Sequence, residues 1–226
     1  MNKSAMIFDR NQVKIPLFRN ISDAEFQEMW DYSCMRNVAF SKDTIIFHQG
    51  DVVHEMGIVL SGSVNIENID LWGNKTILNN VTSGSVFAET YALCHEPMMV
   101  DAVASEDCEV LMVNMDALMD AKNGDKSWYN KFVSNMLRIS MQKNLVLSNR
   151  IFCNTAKTIR SRVLTYLTSL SIKSGSTTVQ VPFNRQQMAD YLNLDRSALS
   201  KELGKMRDDG ILEFYKNTFK LLGTIE

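Results

Sequence analysis

The stretch NRQQMADYLNLDRSALSKELGKMRDDG, residues 184–210, holds two helix starts eleven residues apart. Asn184 is a strong N-cap, Gln187 takes the third helical position, and Phe183 and Met188 flank them at the spacing of a hydrophobic staple. The helix that begins there is predicted to end at Leu192, because Asn193 stands where a tight turn wants a residue tolerant of positive φ. Asp195 then repeats the cap and Leu194 the staple, facing Leu199, so a second helix runs from Arg196 to Asp209 and stops at Gly210. With the small Ala189 where the pair must pack closely, the segment reads as a helix-turn-helix. On the second helix Leu199, Leu203 and Met206 share one face, leaving Arg196, Ser197, Ser200, Lys201 and Gly204 on the other. A short, polar, cationic face of this kind suits a DNA major groove: an arginine can bond a guanine edge bidentately, a lysine can reach a base or phosphate, and serines adapt to either. Ile211 to Phe214, a Lys216-Asn217 turn and Thr218 to Leu222 follow as a hairpin, the expected wing.

Working towards the N-terminus, the charge changes sign. Residues 149–226 carry 12 Lys/Arg against 7 Asp/Glu, net +5, whereas residues 1–148 carry 12 against 19, net −7. The overall −2 therefore hides an acidic front and a basic back, two domains with different partners. Asn154-Thr155 reads as a chain break and N-cap, followed by an amphipathic helix through Ile159, Val163, Leu164, Leu167 and Leu170 that ends at Ser174-Gly175-Ser176. From Asp125 to Cys153 apolar residues recur at helical spacing, which predicts one helix about 40 Å long. Phe132, Met136, Ile139 and Val146 form one stripe, and Val133, Leu137, Leu147 and Ile151 a second. Two stripes need two covers: the N-terminal domain for one and a second copy of the helix, in a homodimer, for the other.

Between Val38 and Val113 the pattern is of short β-type runs: Thr44–Phe47, Ile58–Leu60, Val64–Ile66, Thr76–Leu78 and Val110–Val113. They are separated by Gly50-Asp51, Ser61-Gly62-Ser63, Trp72-Gly73-Asn74 and Ser83-Gly84-Ser85, the signature of a small antiparallel barrel or jelly roll. Ahead of it Ser22 and Glu25 form a capping box, with Ile21 and Phe26 beside them, for a short leading helix. The fold class is thus α+β, in three parts: an antiparallel β-roll or jelly roll over 1–124, a long dimerisation helix over 125–153 and a winged helix-turn-helix over 154–226.

At 226 residues and 45% hydrophobic composition the chain can bury one or two cores. No apolar run is long enough to span a bilayer and Met1 to Asp9 is unlike a secretory leader, so a cytoplasmic protein without a membrane partner is expected. Cys34, Cys94, Cys108 and Cys153 lie far apart with no CxxC pair, and are read as buried, reduced thiols rather than ligands. His48 and His54 with Glu55 hint at a cupin-like metal centre, the basis of an alternative reading as a metal-dependent barrel enzyme. The HxH unit is missing, however, and no phosphate loop or nucleophile elbow appears, so no enzyme and no metal ligands are expected.

Taken in order, residues 15–222 resemble the superfamily of the cyclic-AMP receptor protein and the fumarate-nitrate reduction regulator (CRP/FNR). The likeness rests on His48-Gln49-Gly50-Asp51, Gly57 to Val64, Gly73, Gly84 to Glu89, the long helix, and above all Asn184 to Ala189 and Asp195 to Lys201. It implies a homodimeric transcription regulator whose two recognition helices read an inverted repeat in double-stranded DNA, with RNA polymerase as a further partner. The residue matching Arg185 in such proteins holds a phosphate, and those matching Arg196 and its neighbours read bases. Cyclic-nucleotide members use a Gly-Glu pair for the ribose and, about ten residues later, an Arg-Ser pair for the cyclic phosphate. Here the pairs read Ala88-Glu89 and Met98-Met99, and two thioethers cannot hold a phosphate, so cyclic AMP is not expected. Glu89 is expected to cap the turn after the last barrel loop. Neither an iron-sulfur cluster nor haem is expected: the oxygen sensors' cysteine cluster is missing, and adjacent Cys94 and His95 are poorly placed for one iron. Ala88, Glu89, Met98 and Met99 remain as candidates to line a pocket for an unknown small-molecule effector.

Overall fold

A computed structural model describes residues 13–32, 35–69 and 75–222, in two compact units, Met1–Ile139 and Ser140–Glu226. Cys34 and the predicted Trp72-Gly73-Asn74 turn lie outside the described residues. In the first unit helix α1 (Asp23–Tyr32) precedes strands β1 (Arg36–Phe40), β2 (Ile45–Phe47), β3 (Glu55–Ser61), β4 (Ser63–Ile69), β5 (Lys75–Thr82) and β6 (Val86–Phe87). Helix α2 (Glu89–Cys94), β7 (Asp101–Ala104), β8 (Cys108–Asn114), α3 (Met115–Met119) and the long α4 (Tyr129–Thr155), which belongs to the second unit from Ser140 onwards, follow. The second unit adds α5 (Ile159–Ser174), β9 (Thr178–Gln180), α6 (Arg185–Tyr191), α7 (Arg196–Asp208), β10 (Leu212–Tyr215) and β11 (Thr218–Leu221).

The strands of the first unit form two antiparallel four-stranded sheets, ordered β1-β8-β3-β6 and β2-β7-β4-β5, which together make the β-roll. All five predicted runs coincide with strands, except that Thr44 precedes β2; β1, β6 and β7 complete the sheets. The alanines of β7 carry little β propensity, yet all four of its residues are buried, so tertiary packing rather than local preference makes it a strand. Gly57 on β3 faces Phe87 on β6, and a Cβ there would lie 2.2 Å from the ring, so only glycine lets Phe87 pack across the sheet. Ile58, Val59, Val110, Leu111, Phe26, Met29, Trp128 and Phe132 are buried in one core. The capping box of α1 is present, with Ser22 N–H donating to Glu25 Oε2 at 2.8 Å and Glu25 N–H to Ser22 Oγ at 3.3 Å.

Phe132 and Met136 of α4 are buried in that core and Ile139 packs partly against it, but Val146, assigned to the same stripe, is 60% exposed. The cover for this stripe stops at Ile139, where the first unit ends. Of the second stripe Val133 packs partly against the same core, whereas Leu137, Leu147 and Ile151 are exposed, and with Met141, Leu145 and Phe152, also exposed, they share one face at 100° per residue.

Two sequence readings are corrected here. Asn154-Thr155 does not cap α5: both lie in the last turn of α4, and Thr158 is the cap, forming a box with Ser161. Nor are the described cysteines all buried, since Cys94 is exposed at the end of α2 whereas Cys108 and Cys153 are covered. Among the described residues no helix is long and apolar enough to cross a membrane.

Candidate nucleic-acid interface

Helix α6 begins with the capping box the sequence encodes: Gln187 N–H donates to Asn184 Oδ1 and Asn184 N–H to Gln187 Oε1, each at 2.9 Å. Asn193 adopts φ 51°, and the chain turns into α7, where Asp195 accepts the Ala198 N–H at 2.8 Å. This bond and that from Ser197 Oγ hold the Asp195 carboxyl below its ordinary range, the Ser197 bond being the larger cause. Ala189 is fully buried, so the two helices meet over a methyl group.

A seven-residue helix leaves its last carbonyls without partners unless its surroundings supply donors. Here Leu192 N–H bonds Met188 O, and Leu194 N–H bonds Ala189 O. Arg150 donates to Asp190 O and Tyr191 O, each at 3.3 Å, joined at Tyr191 O by Asn154 at 3.3 Å. Arg162 donates to Leu192 O at 3.2 Å and Asn193 O at 3.1 Å, and through Nε to Ala156 O at 2.9 Å. The end of α4 and the start of α5 therefore grip the turn between α6 and α7. Arg160 adds a second tie, with Nε 2.7 Å from Glu202 Oε1 and a terminal nitrogen 2.8 Å from Asp209 Oδ2, fastening α5 to α7. Sequence reading gave none of these arginines a role; only the basic excess after residue 149 marks them.

On α7 Leu199, Leu203 and Met206 are fully buried, and Arg196, Ser197, Ser200 and Lys201 are exposed on the opposite side. Among the described residues neither the Arg196 guanidinium nor the Lys201 ammonium has a hydrogen-bond or ion-pair partner. Ser200 Oγ donates to Arg196 O at 2.9 Å and Ser197 Oγ to Asp195, so both hydroxyls present lone pairs outward. A Cβ on Gly204 would meet nothing within 4 Å, which leaves the helix surface open there.

Arg185 sits differently from the other four. Its guanidinium lies 5.4 Å from the ring centres of both Phe214 and Phe219 and donates to Lys216 O at 3.2 Å, so it braces the hairpin from beneath. The hairpin pairs Leu212 with Leu221 and Tyr215 with Thr218, and β9 adds a third strand alongside β11. At its tip Lys216 takes φ 53° beside Tyr215, which is 75% exposed.

The four effector-pocket candidates differ in burial. Ala88 precedes α2 with φ 60°, a region glycine enters without strain, and Glu89 is buried in the first turn of that helix. Met98 is buried in the core while Met99 is 72% exposed, so the two thioethers point opposite ways.

A β-roll, a long helix and a winged helix-turn-helix in this order define a class, the two-domain transcription regulators that couple a sensor barrel to a DNA-reading module. The cyclic nucleotide-binding domain family matches residues 37–124, and the Crp-like helix-turn-helix domain family matches residues 161–222. The chain belongs to the CRP/FNR superfamily of transcription regulators. In fold it is similar to the catabolite activator protein of Thermus thermophilus, with 20% identity, TM-score 0.51, and 91% of this chain and 93% of that one covered. It is likewise similar to the c-di-GMP responsive regulator CLP of Xanthomonas campestris, with 21% identity, TM-score 0.54, and 89% and 100% covered. A CooA variant from Carboxydothermus hydrogenoformans gives 18% identity, TM-score 0.58, and 84% of each chain covered. No curated protein sequence matches the chain.

Proposed function

We propose that the chain works as a homodimeric, sequence-specific DNA-binding regulator in the cytoplasm, not as an enzyme, and that its α7 helices enter successive major grooves of an inverted repeat. The observation that carries this reading is the outward strip of Arg196, Ser197, Ser200 and Lys201 over a fully buried apolar anchor. Arg196 and Lys201 are unpaired and so supply donors to guanine edges or phosphates, while the serines accept from base amino groups. Arg185 sets the wing beside the groove and has N–H groups left over for a phosphate. Two copies of α4 joined through the face of Leu137, Met141, Leu145, Leu147, Ile151 and Phe152 would supply the dimer. RNA polymerase is read as a further partner, as the resemblance to this superfamily implies. Selecting bound sequences from random duplex DNA tests the reading: a two-fold motif with half-sites about one helical turn apart is expected, and recovery of unrelated or unpaired sequences would overturn it.

The β-roll is read as a sensor that does not take cyclic AMP. Met98 and Met99 bring no cation to the place where a cyclic phosphate would lie, and they face opposite ways. Calorimetric titration with cyclic AMP is expected to show no saturable heat.

A further inference from the structure

His54, the residue before β3, His95, at the C-terminal end of α2, and Asp116, in the first turn of α3, converge on one patch of the β-roll surface. His54 Nδ1 lies 2.8 Å from Asp116 Oδ2, and His95 Nε2 lies 3.4 Å from Asp116 Oδ1. The imidazole ring centres are 5.2 Å apart, and one donor atom from each of the three residues lies within 4.8 Å of the other two. Backbone bonds fix all three elements. Met115 N–H donates to His54 O at 2.9 Å, Glu55 pairs with Asn114, and Asn114 caps α3 through the Ala117 N–H. The loop after His95 is tied down by Gly50 N–H to Met98 O at 2.7 Å and Met98 N–H to Asp51 O at 2.8 Å. His95 itself is held at φ 55°, a conformation unusual for a residue with a Cβ.

We propose that His54, His95 and Asp116 form a binding site for a divalent transition-metal ion, with Zn²⁺ as the fitting occupant and a position left open to solvent. Two imidazoles and a carboxylate are the donor types Zn²⁺ takes, and tetrahedral bonds of about 2.0–2.1 Å place neighbouring donors about 3.3 Å apart. The 2.8 and 3.4 Å separations run to the two different oxygens of Asp116 and the three donor atoms lie within 4.8 Å of one another, so rotations of these side chains are what bring the donors to that spacing around an ion. An ordinary His-Asp pair would account for His54 alone; here a second imidazole is turned to the other oxygen of the same carboxylate. All three side chains are about half exposed, so an ion can enter without unfolding anything. On binding, the metal takes the Nδ1 lone pair of a neutral His54, whose proton then sits on Nε2. Asp116 exchanges the imidazole N–H for the ion. Nitrogen donors favour Zn²⁺, Ni²⁺ or Co²⁺ over the hard ions Mg²⁺ and Ca²⁺.

The test is calorimetric titration of full-length, untagged, chelator-stripped protein with Zn²⁺, together with the visible spectrum of the Co²⁺-loaded form. Expected are one Zn²⁺ per chain, ligand-field bands with Co²⁺, and a melting temperature that rises with Zn²⁺ but not with Mg²⁺ or Ca²⁺. His54→Ala and His95→Ala should each lose the stoichiometric site, and His48→Ala should keep it. If an alanine variant melts early without metal, Asp116→Asn, which preserves shape, is the deciding variant and should also lose the site. Absence of stoichiometric uptake by the wild type, or uptake surviving in the double histidine variant, would overturn the proposal. None of these readouts involves DNA, so the result stands apart from the DNA-binding reading.

Discussion

Glu25 caps its own helix and also accepts two contacts from Lys131 Nζ, at 2.7 and 2.8 Å, and one from Ser127 Oγ at 2.7 Å. Lys131, the Ser22 N–H and Ser127, in that order of effect, lower its pKa from 4.5 to about 2. Above the ordinary carboxylate range both folded and unfolded chains carry the charge and the stabilisation is complete. As pH falls, the unfolded chain takes up the proton first and the stabilisation drains away until the folded carboxyl protonates. Urea midpoints should therefore fall less steeply between about pH 5 and pH 3 in Glu25→Gln than in the wild type. Arg196 and Arg185 are separated by a different measurement. Arg196→Ala should cost about 1–3 kcal/mol against the preferred base pair and relax specificity there. Arg185→Ala should weaken every sequence alike, reduce the salt slope by about one and lower the melting temperature as the wing loosens. An Arg185 variant with an unchanged salt slope would leave that residue only its bracing role. The Ser22/Glu25 box could be read directly because its partners are three residues apart, whereas Lys131 lies 106 residues away and no local pattern names it.

For whole elements the same distinction holds. The beginnings of α6 and α7 were legible because N-caps and staples are written within five residues, and the buried face of α7 because its period is helical. The end of α6 was not legible: its carbonyls are satisfied by Arg150, Asn154 and Arg162, 30 to 41 residues away in sequence. Strand β7 was missed for a related reason, since its alanines become a strand only between β2 and β4. Asn184→Ala should cost about 1 kcal/mol by removing the cap, and Arg162→Ala about 1–2 kcal/mol by taking a donor from three carbonyls, both measurable from denaturant midpoints at constant slope. Arg162→Ala should also weaken DNA binding without changing which sequence is preferred, because it touches the turn and not the reading face.

At the scale of the whole molecule, the change of charge near residue 149 and the order of periodicities conveyed the architecture, and the two stripes of the long helix conveyed that one of them needs a cover. The His54, His95 and Asp116 cluster could not be read, because the sequence places His54 beside His48 while the fold places it beside residues from two later helices. Leu145→Glu combined with Ile151→Glu should convert a dimer to monomers in sedimentation, with affinity for a full inverted repeat dropping to that for a half-site. An unchanged sedimentation coefficient would remove the shared helix face from the account. The arginine and asparagine at the end of α4 grip the last backbone carbonyls of α6, much as a spanner grips a nut. In the proposed dimer, a small roll of one long helix against its mate would pass through these bonds to the end of α6 and, across the turn Leu192–Asp195, to the residues proposed to read bases.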